Sequence, residues 1–544
     1  MISLHHGESV SAWMDTVQMP TFSTLLEDID TEVCIVGGGL AGLTTAYLLL
    51  QAGKKVCVLE GFEIGSGQTG RTTAQLTTAL DERYFMLEKF HGEKGARLAA
   101  ESHSAAIKKV YEITRKENID CDLEKINGYL FNSHDDPNYQ LKSNRDKSHE
   151  YLNIELEAVL RAGLSDVYMT ERVPLSSFDP GPALCFPDQL QLHPLKYLQG
   201  LAQAIIKKGG QIFTNSHVVE VQGGEAAFVR LQNDHIVSCD SIVVATNSPI
   251  NDLVAIHTKQ ASYRSYVIGV EVPKGSIIKG LFWDTEDPYH YVRLEKNEDN
   301  HPNEVLLVGG EDHKTGQNDN PEHCYTRLEN WTRKRFTEAG RVIYRWSGHV
   351  MEPVDGLAYI GHNPMDSDNV YVVTGHSGNG MTYSTIAGML ITDLILEKEN
   401  PWKSLYNPSR ISLTSAGAYL KENANTLIQY KDWLIEKKLG NLDSIKVGEG
   451  VVYRDGLQIV AAYKDDYGNL ELNSAVCPHL GGIVHWNKAE KSWDCPCHGS
   501  RFDCHGKVID GPAVSDLTLI SSTPALHPPD VLKVWPDADA NPVL

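Results

Sequence analysis

Near the C-terminus, two thiols and two imidazoles occur at spacings that suit a metal centre. Cys477-Pro478-His479-Leu480-Gly481-Gly482 is a C-x-H segment. Fifteen residues separate His479 from Cys495-Pro496-Cys497-His498-Gly499-Ser500, a C-x-x-H segment. Two short loops would present this mixed sulfur–nitrogen set. It fits a [2Fe–2S] cluster in which imidazoles replace thiolates on one of the two irons. Cys477 and Cys495 are assigned to one iron, and His479 and His498 to the other. Ligand types alone leave a Cys2His2 zinc site as the alternative.

The runs His479-Leu480-Gly481-Gly482 and Cys497-His498-Gly499-Ser500 resemble the two cluster loops of Rieske proteins. Asp510-Gly511-Pro512-Ala513 stands where that family has its proline loop. The resemblance implies a small all-β domain and a [2Fe–2S] cofactor. Two departures from the respiratory type are informative. Gly482 replaces the second cysteine of the first loop, so Cys497 lacks the disulfide partner known there, as expected in a reducing compartment. Phe502 replaces a tyrosine, and fewer hydrogen bonds to the cluster sulfurs imply a low-to-middle potential.

A second kind of chemistry is written at the other end of the chain. Glu32-Val33-Cys34-Ile35-Val36 is an apolar run of strand length that enters Gly37-Gly38-Gly39-Leu40-Ala41-Gly42. A helical stretch from Leu43 to Ala52 follows, then a second strand, Lys55–Leu59, ending in Glu60. This is a complete βαβ dinucleotide fingerprint. Gly37 permits the tight turn, Gly39 the approach of a pyrophosphate and Gly42 close helix–strand packing, while the helix N-terminus favours the phosphate charge. Glu60, twenty-three residues after Gly37, is placed to accept hydrogen bonds from a ribose. The fingerprint alone leaves FAD or NAD open.

Further segments resemble the D-amino-acid-oxidase-like flavoproteins, the glycine- and sarcosine-oxidase group. They are the Gly/Thr-rich loop Ile64–Ala74 with Arg71, Thr72 and Thr73, then Ser216-His217-Val218, Ala245-Thr246 closing a buried strand, and Gly378-Asn379-Gly380-Met381 opening a helix. The resemblance implies FAD held by these residues together with Gly37–Gly42 and Glu60. Within that family the chain is similar to oxidoreductases carrying a fused C-terminal Rieske domain. The fold it implies is an α/β Rossmann-type FAD domain with an antiparallel-sheet (α+β) substrate domain, plus a small all-β Rieske domain.

The elements that must position these groups divide accordingly. Residues 1–410 are expected to form the oxidoreductase. Its FAD-binding parts lie near 28–80, 190–255 and 345–400, and its substrate-domain parts near 81–189 and 256–344. Antiparallel strands are predicted at Ser262–Val270, His290–Leu294 and Val305–Gly310, with a polar turn from Glu295 to Glu304. Leu420, Ala424, Leu427, Ile428 and Leu434 recur at helical spacing, and Lys437-Lys438-Leu439-Gly440 supplies a stop. An interdomain helix packed on that apolar face is expected within 411–440. The Rieske domain takes 441–544, with a hairpin turn at Asp465-Asp466-Tyr467-Gly468.

The resemblance implies oxidation of an amine or amino-acid-like C–N substrate by hydride transfer to flavin. Electrons would then pass to the cluster and to an external acceptor or redox protein. Tyr289, Tyr291 and Arg293 alternate onto one strand face, and Arg293 could clamp a carboxylate. His313 and the Trp346–His349 segment approach the flavin in relatives. Tyr291, Arg293 and His313 are therefore the candidate catalytic residues, each weighed against a structural role. Asp355 reads as structural or flavin-positioning. Asp287-Pro288-Tyr289-His290 lacks the second histidine of a mononuclear iron site, which excludes a self-contained Rieske oxygenase. Two other readings remain: an electron-transfer component supplying a separate oxygenase, weakened by the missing second dinucleotide fingerprint, and an oxygen-using oxidase with a structural or redox-sensing cluster.

The net charge of −22 argues against nucleic-acid binding and against adhesion to anionic membranes. No run of about 18 apolar residues predicts a membrane span, and Met1–Glu8 lacks the pattern of a signal peptide. Of the ten cysteines, the eight that are not proposed ligands are scattered and suggest no disulfide framework. A cytoplasmic location is expected.

Overall fold

The computed structural model describes residues 9–132, 142–251, 256–296, 301–318, 320–411, 413–434 and 442–523. The expectations for Met1–Glu8, for the Lys437–Gly440 stop and for the middle of the Glu295–Glu304 turn lie outside these residues. The first sheet has a parallel centre. Ile29–Val36 lies between Ile236–Val244 and Val56–Leu59, with Gln211–Phe213 beyond and Val370–Thr374 on the other side. Strands covered on both faces read as unbroken apolar runs, and Val33–Val36 is fully buried. Two glycines are required at the first turn. Gly37 has φ +112°, and a Cβ there would stand 2.4 Å from the Ala245 carbonyl oxygen. A Cβ on Gly42 would come within 1.9 Å of the Gly37 oxygen, so any other residue would push the helix Leu40–Gln51 off the strand. That helix packs against the helix Gly380–Ile395.

The second sheet has nine strands among the described residues. One flank is antiparallel: from the edge inward, Val342–Pro353, Gln260–Pro273, Asn303–Lys314 and His290–Glu295 follow in that order. The three predicted strands lie within this sheet and are longer than expected. Val342–Pro353 pairs with Gln260–Pro273 almost from end to end, so the sheet runs past the boundary placed at residue 344. Gln75–Leu76 joins its far edge, which ties the Gly/Thr-rich loop to it. Two four-stranded antiparallel sheets make the C-terminal domain. One holds Gly450–Asp455, Gln458–Lys464, Leu470–Ser474 and Leu519–Thr523; the other holds His485–Asn487, Ser492–Asp494, Arg501–Asp503 and Val508–Asp510. The Asp465–Gly468 turn joins two of these strands, with Gly468 at φ +84°.

The helix Ala416–Gln429 corrects one expectation. Leu420, Leu427 and Ile428 are 68%, 71% and 53% exposed, so the apolar stripe faces outward. Polar residues dock the helix instead. Asn423 Nδ2 donates to Thr258 O at 2.9 Å, Glu422 pairs with Lys314, and Gln317 Nε2 donates to Asn425 Oδ1 at 2.9 Å. Beyond it, Tyr430 Oη and Trp433 Nε1 donate to the carbonyls of Leu480 and Gly481 at 2.8 and 2.9 Å. Helical periodicity identifies an amphipathic helix but not which face a neighbour covers.

Candidate active site and metal centre

The four proposed ligands arrive on two loops of like geometry. In the first, Cys477 N donates to Gly482 O at 2.8 Å and Gly481 N to Cys477 O at 3.0 Å. In the second, Cys495 N donates to Ser500 O at 2.8 Å and Gly499 N to Cys495 O at 3.1 Å. These turns bring the Cys477 and Cys495 thiols within hydrogen-bond reach of each other, and both are buried. The rings of His479 and His498 lie 5.0 Å apart and perpendicular. Burial lowers both imidazoles to about 4, so at neutral pH they are uncharged, as metal ligation requires. His479 Nε2 is buried without a partner. Two thiols and two neutral imidazoles converging from facing loops fit a [2Fe–2S] cluster with a pair of ligands on each iron. All ten cysteines are free. At Gly482 a Cβ would lie 2.6 Å from Cys497 Sγ, so the position of the missing disulfide partner faces Cys497 but brings no sulfur to it.

Between the two sheets lie two adjoining cavities that share the walls Leu40, Gln68, Thr69, Asn247, His376 and Ser384. One is bounded by Gly37, Gly39, Leu40, Ala41, Glu60, Val218, Ala245 and Thr246. The other is bounded by Arg71, Thr72, Thr73, Tyr289, Tyr291, His349 and Gly378–Met381. Helices open onto both. The N-cap residues Gly39 and Asn379 supply no side-chain cap. Leu40 N donates to Thr69 Oγ1 at 3.0 Å, and the neighbouring main-chain N–H groups are left for an anionic ligand. Buried polar atoms without partners also belong to these walls, among them His376 Nε2 and Asn247 Nδ2. An elongated site with a diphosphate-accepting turn at one end and free donors along its length fits FAD. Glu60 is fixed by main-chain donors, Gly38 N at 2.6 Å and Phe62 N at 2.9 Å. Burial pushes its carboxyl up against these bonds.

A profile of the FAD dependent oxidoreductase family matches residues 32–394, and one of the Rieske [2Fe-2S] domain matches residues 437–526. The chain belongs to the FAD-dependent oxidoreductase family and carries a Rieske domain. The Rieske iron–sulfur protein YhfW of Bacillus subtilis is 31% identical over 519 residues, spanning 93% of this chain and 97% of that protein. Gamma-glutamylputrescine oxidoreductase of Escherichia coli is 29% identical over 69% of this chain and 85% of its own length. Glycine oxidase from Geobacillus kaustophilus shares the fold, with TM-score 0.55, 16% identity, and cover of 70% of this chain and 99% of that one. FAD and a [2Fe–2S] cluster are thus the cofactors of this oxidoreductase.

The three candidate catalytic residues fare differently. Tyr291 lines the flavin-side cavity, with its hydroxyl 2.8 Å from Ser265 Oγ. Arg293 shares the strand face but lies beyond the cavity, and both of its terminal nitrogens are engaged. Nη1 donates to the carbonyls of Thr73, Ala74 and Leu192 at 2.8, 3.1 and 3.1 Å, and Nη2 pairs with Glu295. It anchors the Thr72–Thr73 wall instead of clamping a substrate carboxylate. His313 does not line the cavity. Its two ring nitrogens lie 2.8 Å from Tyr266 Oη and 2.9 Å from Lys314 O, a structural role. Asp355 is likewise structural, held by a two-point pair with Arg410 at 2.8 and 2.7 Å. His290, with Asp284 and Glu286, belongs to an ion-pair group that also takes in Arg335.

Sequence reasoning placed the segments holding Gln68, His376 and Ser377 at the flavin without singling these residues out, and it missed Asp81; all four line the cavity. It also missed the carboxyl groups behind them. Ser377 Oγ lies 3.0 Å from Asp81 Oδ2 and 2.8 Å from Glu352 Oε2. Asp312 bonds to Ser265 and Tyr289. Burial, with repulsion from Asp81, raises Glu352 to about 8 and Asp312 to about 7. No local motif marks these acids, because each is recruited by a distant segment.

Among the described residues no helix is long and apolar enough to cross a membrane. The variant Glu60→Arg is expected to purify without flavin, since it removes the acceptor of Gly38 N and sets a cation at the ribose position. The flavin-to-protein absorbance ratio reads this directly, and an undiminished ratio would move the adenosine end elsewhere.

Proposed function

We propose that the oxidoreductase takes two electrons from an amine or amino-acid-like substrate on the flavin side and passes them through the Rieske centre to an external acceptor. FAD, when bound, accepts a hydride equivalent and the [2Fe–2S] cluster carries one electron at a time. The observation that carries the reading is the position of His349. It lines the flavin-side cavity, and its Nε2 lies 2.6 Å from Ser262 Oγ. A Cβ on Gly499, the residue after the ligand His498, would approach the same Nε2 to 2.8 Å. On the other ring nitrogen, Nδ1 lies 3.1 Å from Asp510 Oδ2 of the Rieske domain. A single side chain therefore separates the flavin cavity from the second ligand loop.

The side chains around the cavity favour a cationic nitrogen substrate. Arg293 offers it no clamp, and Arg71 Nη1 and Nη2 are held by Ser9, with Nη1 also on the Ser347 carbonyl. Asp81, Ser377 and Tyr289 face the cavity, with Glu352 and Asp312 behind them. Glu352 and Asp312, raised by burial to about 8 and about 7, would take up the ammonium proton through Ser377 and Tyr289, which contact them from the cavity wall, leaving the neutral amine that donates hydride. They are protonated below these values and ionised above, so flavin reduction should accelerate as pH rises through 7 to 8. Anaerobic mixing with simple amines, N-methylated amino acids and amino acids, followed by flavin bleaching, tests this. The limiting rate should climb across that range, and Glu352→Gln should flatten the climb. If no nitrogen substrate bleaches the flavin while NADH or a reduced ferredoxin does, the oxidoreductase is an electron-transfer component instead.

A further inference from the structure

We infer that the proline loop of the Rieske domain, Asp510–Val514, is a wall of the FAD site, so that the docked domain retains the ADP half of the cofactor. The cavity around Gly37, Gly39 and Glu60 is closed on its far side by Val508, Ile509, Asp510, Gly511, Ala513 and Val514. These residues come from a different domain and lie some 450 positions along the chain.

The loop is held from both sides. Toward the FAD domain, Asp510 Oδ2 accepts from Gln68 Nε2 at 2.8 Å and lies 3.1 Å from His349 Nδ1. The His217 side chain bonds to the Val514 main chain. Gly511 packs on the segment after the strand Ile236–Val244, where an added Cβ would lie 3.4 Å from Ile250 Cγ2 and 3.5 Å from the Ser248 oxygen. Toward the cluster, Ala513 N donates to Ser500 Oγ at 3.1 Å. Asp510 is occupied by its partners, so the loop offers the ligand mainly apolar surface. Such a wall suits the adenine and ribose, while the diphosphate keeps the main-chain donors at Gly39 and Ala41.

Two consequences follow from closure by a second domain. Release of FAD requires the loop to withdraw, so dissociation is slowed. By linkage, a ligand that prefers the docked arrangement stabilises it by the same factor. The inference rests on the cofactor and not on the direction of electron flow, so either can fail without the other.

Hydrogen exchange on the full-length, cluster-loaded protein tests it, comparing FAD-loaded with FAD-stripped material. Segment 508–514 should exchange at least about tenfold more slowly with FAD bound. ADP alone, added to the stripped protein, should restore most of that protection, because it fills the half of the site that the loop closes. In parallel, Asp510→Ala and Val514→Glu should release FAD about tenfold faster on dilution, followed by the return of free-flavin fluorescence, with the iron content unchanged. Equal exchange of 508–514 with and without FAD or ADP would overturn the inference. So would wild-type release rates in both variants.

Discussion

Glu490→Ala is expected to separate the two domains and to lower the unfolding free energy of the docked assembly by about 3–5 kcal/mol, the usual consequence of leaving a buried charge without its partner. Glu490 belongs to the Rieske domain but is buried against the oxidoreductase. Its carboxylate lies 3.4 Å from Arg264 Nη2 and accepts from Ser9 Oγ at 2.8 and 2.9 Å and from Ser347 Oγ. Arg264, also fully buried, would be stranded. Unfolding of a chain with several domains is not two-state. Denaturant midpoints should therefore be read together with limited proteolysis between residues 411 and 449, which should become fast. The double variant Arg264→Met/Glu490→Leu should recover much of the loss. Acid should imitate the single variant. Burial raises the Glu490 carboxyl, but Arg71, Arg264 and Arg501 outweigh it and hold it below the ordinary range. Its contribution is present above the unfolded value of about 4.5 and is lost as pH falls through the depressed folded value.

His479→Ala or His498→Ala should abolish the cluster outright, with iron falling from two per chain to near zero and the electron paramagnetic resonance signal of the reduced centre disappearing. FAD should remain at one per chain, because the Gly37–Gly42 turn and Glu60 stand on the other domain and the 508–514 wall carries none of the four cluster ligands. Zinc in the wild-type site, or a four-cysteine spectrum, would contradict the ligand assignment. The two cofactors depend on different residues, and their selective loss separates them experimentally.

Much of this architecture was legible because certain residues are dictated locally. Gly37 and Gly42 are demanded by close main-chain approach, and a strand, a helix and an acid at fixed offsets surround them. Cys477, His479, Cys495 and His498 are spaced as two loops require. Legibility ended where partners come from far along the chain. Alternation placed Tyr291 and Arg293 on one face correctly, but it could not reveal that the carbonyls of Thr73, Ala74 and Leu192 capture the guanidinium. For the same reason, the stripe Leu420–Leu427–Ile428 announced a helix without showing that Asn423 and Glu422, on other faces, do the docking. The acids around Ser377, and the Glu490–Arg264 pair, exist as groups only after folding.

The central claim is that electrons taken at the flavin reach the Rieske cluster, and rapid freeze-quench under anaerobic conditions tests it most directly. After mixing with an amine that bleaches the flavin, the electron paramagnetic resonance signal of the reduced cluster should grow within the first turnover, and an added one-electron acceptor should discharge it. A flavin that bleaches and reoxidises over many turnovers, while the cluster stays oxidised and silent, would contradict the account and leave the cluster a structural or sensing module.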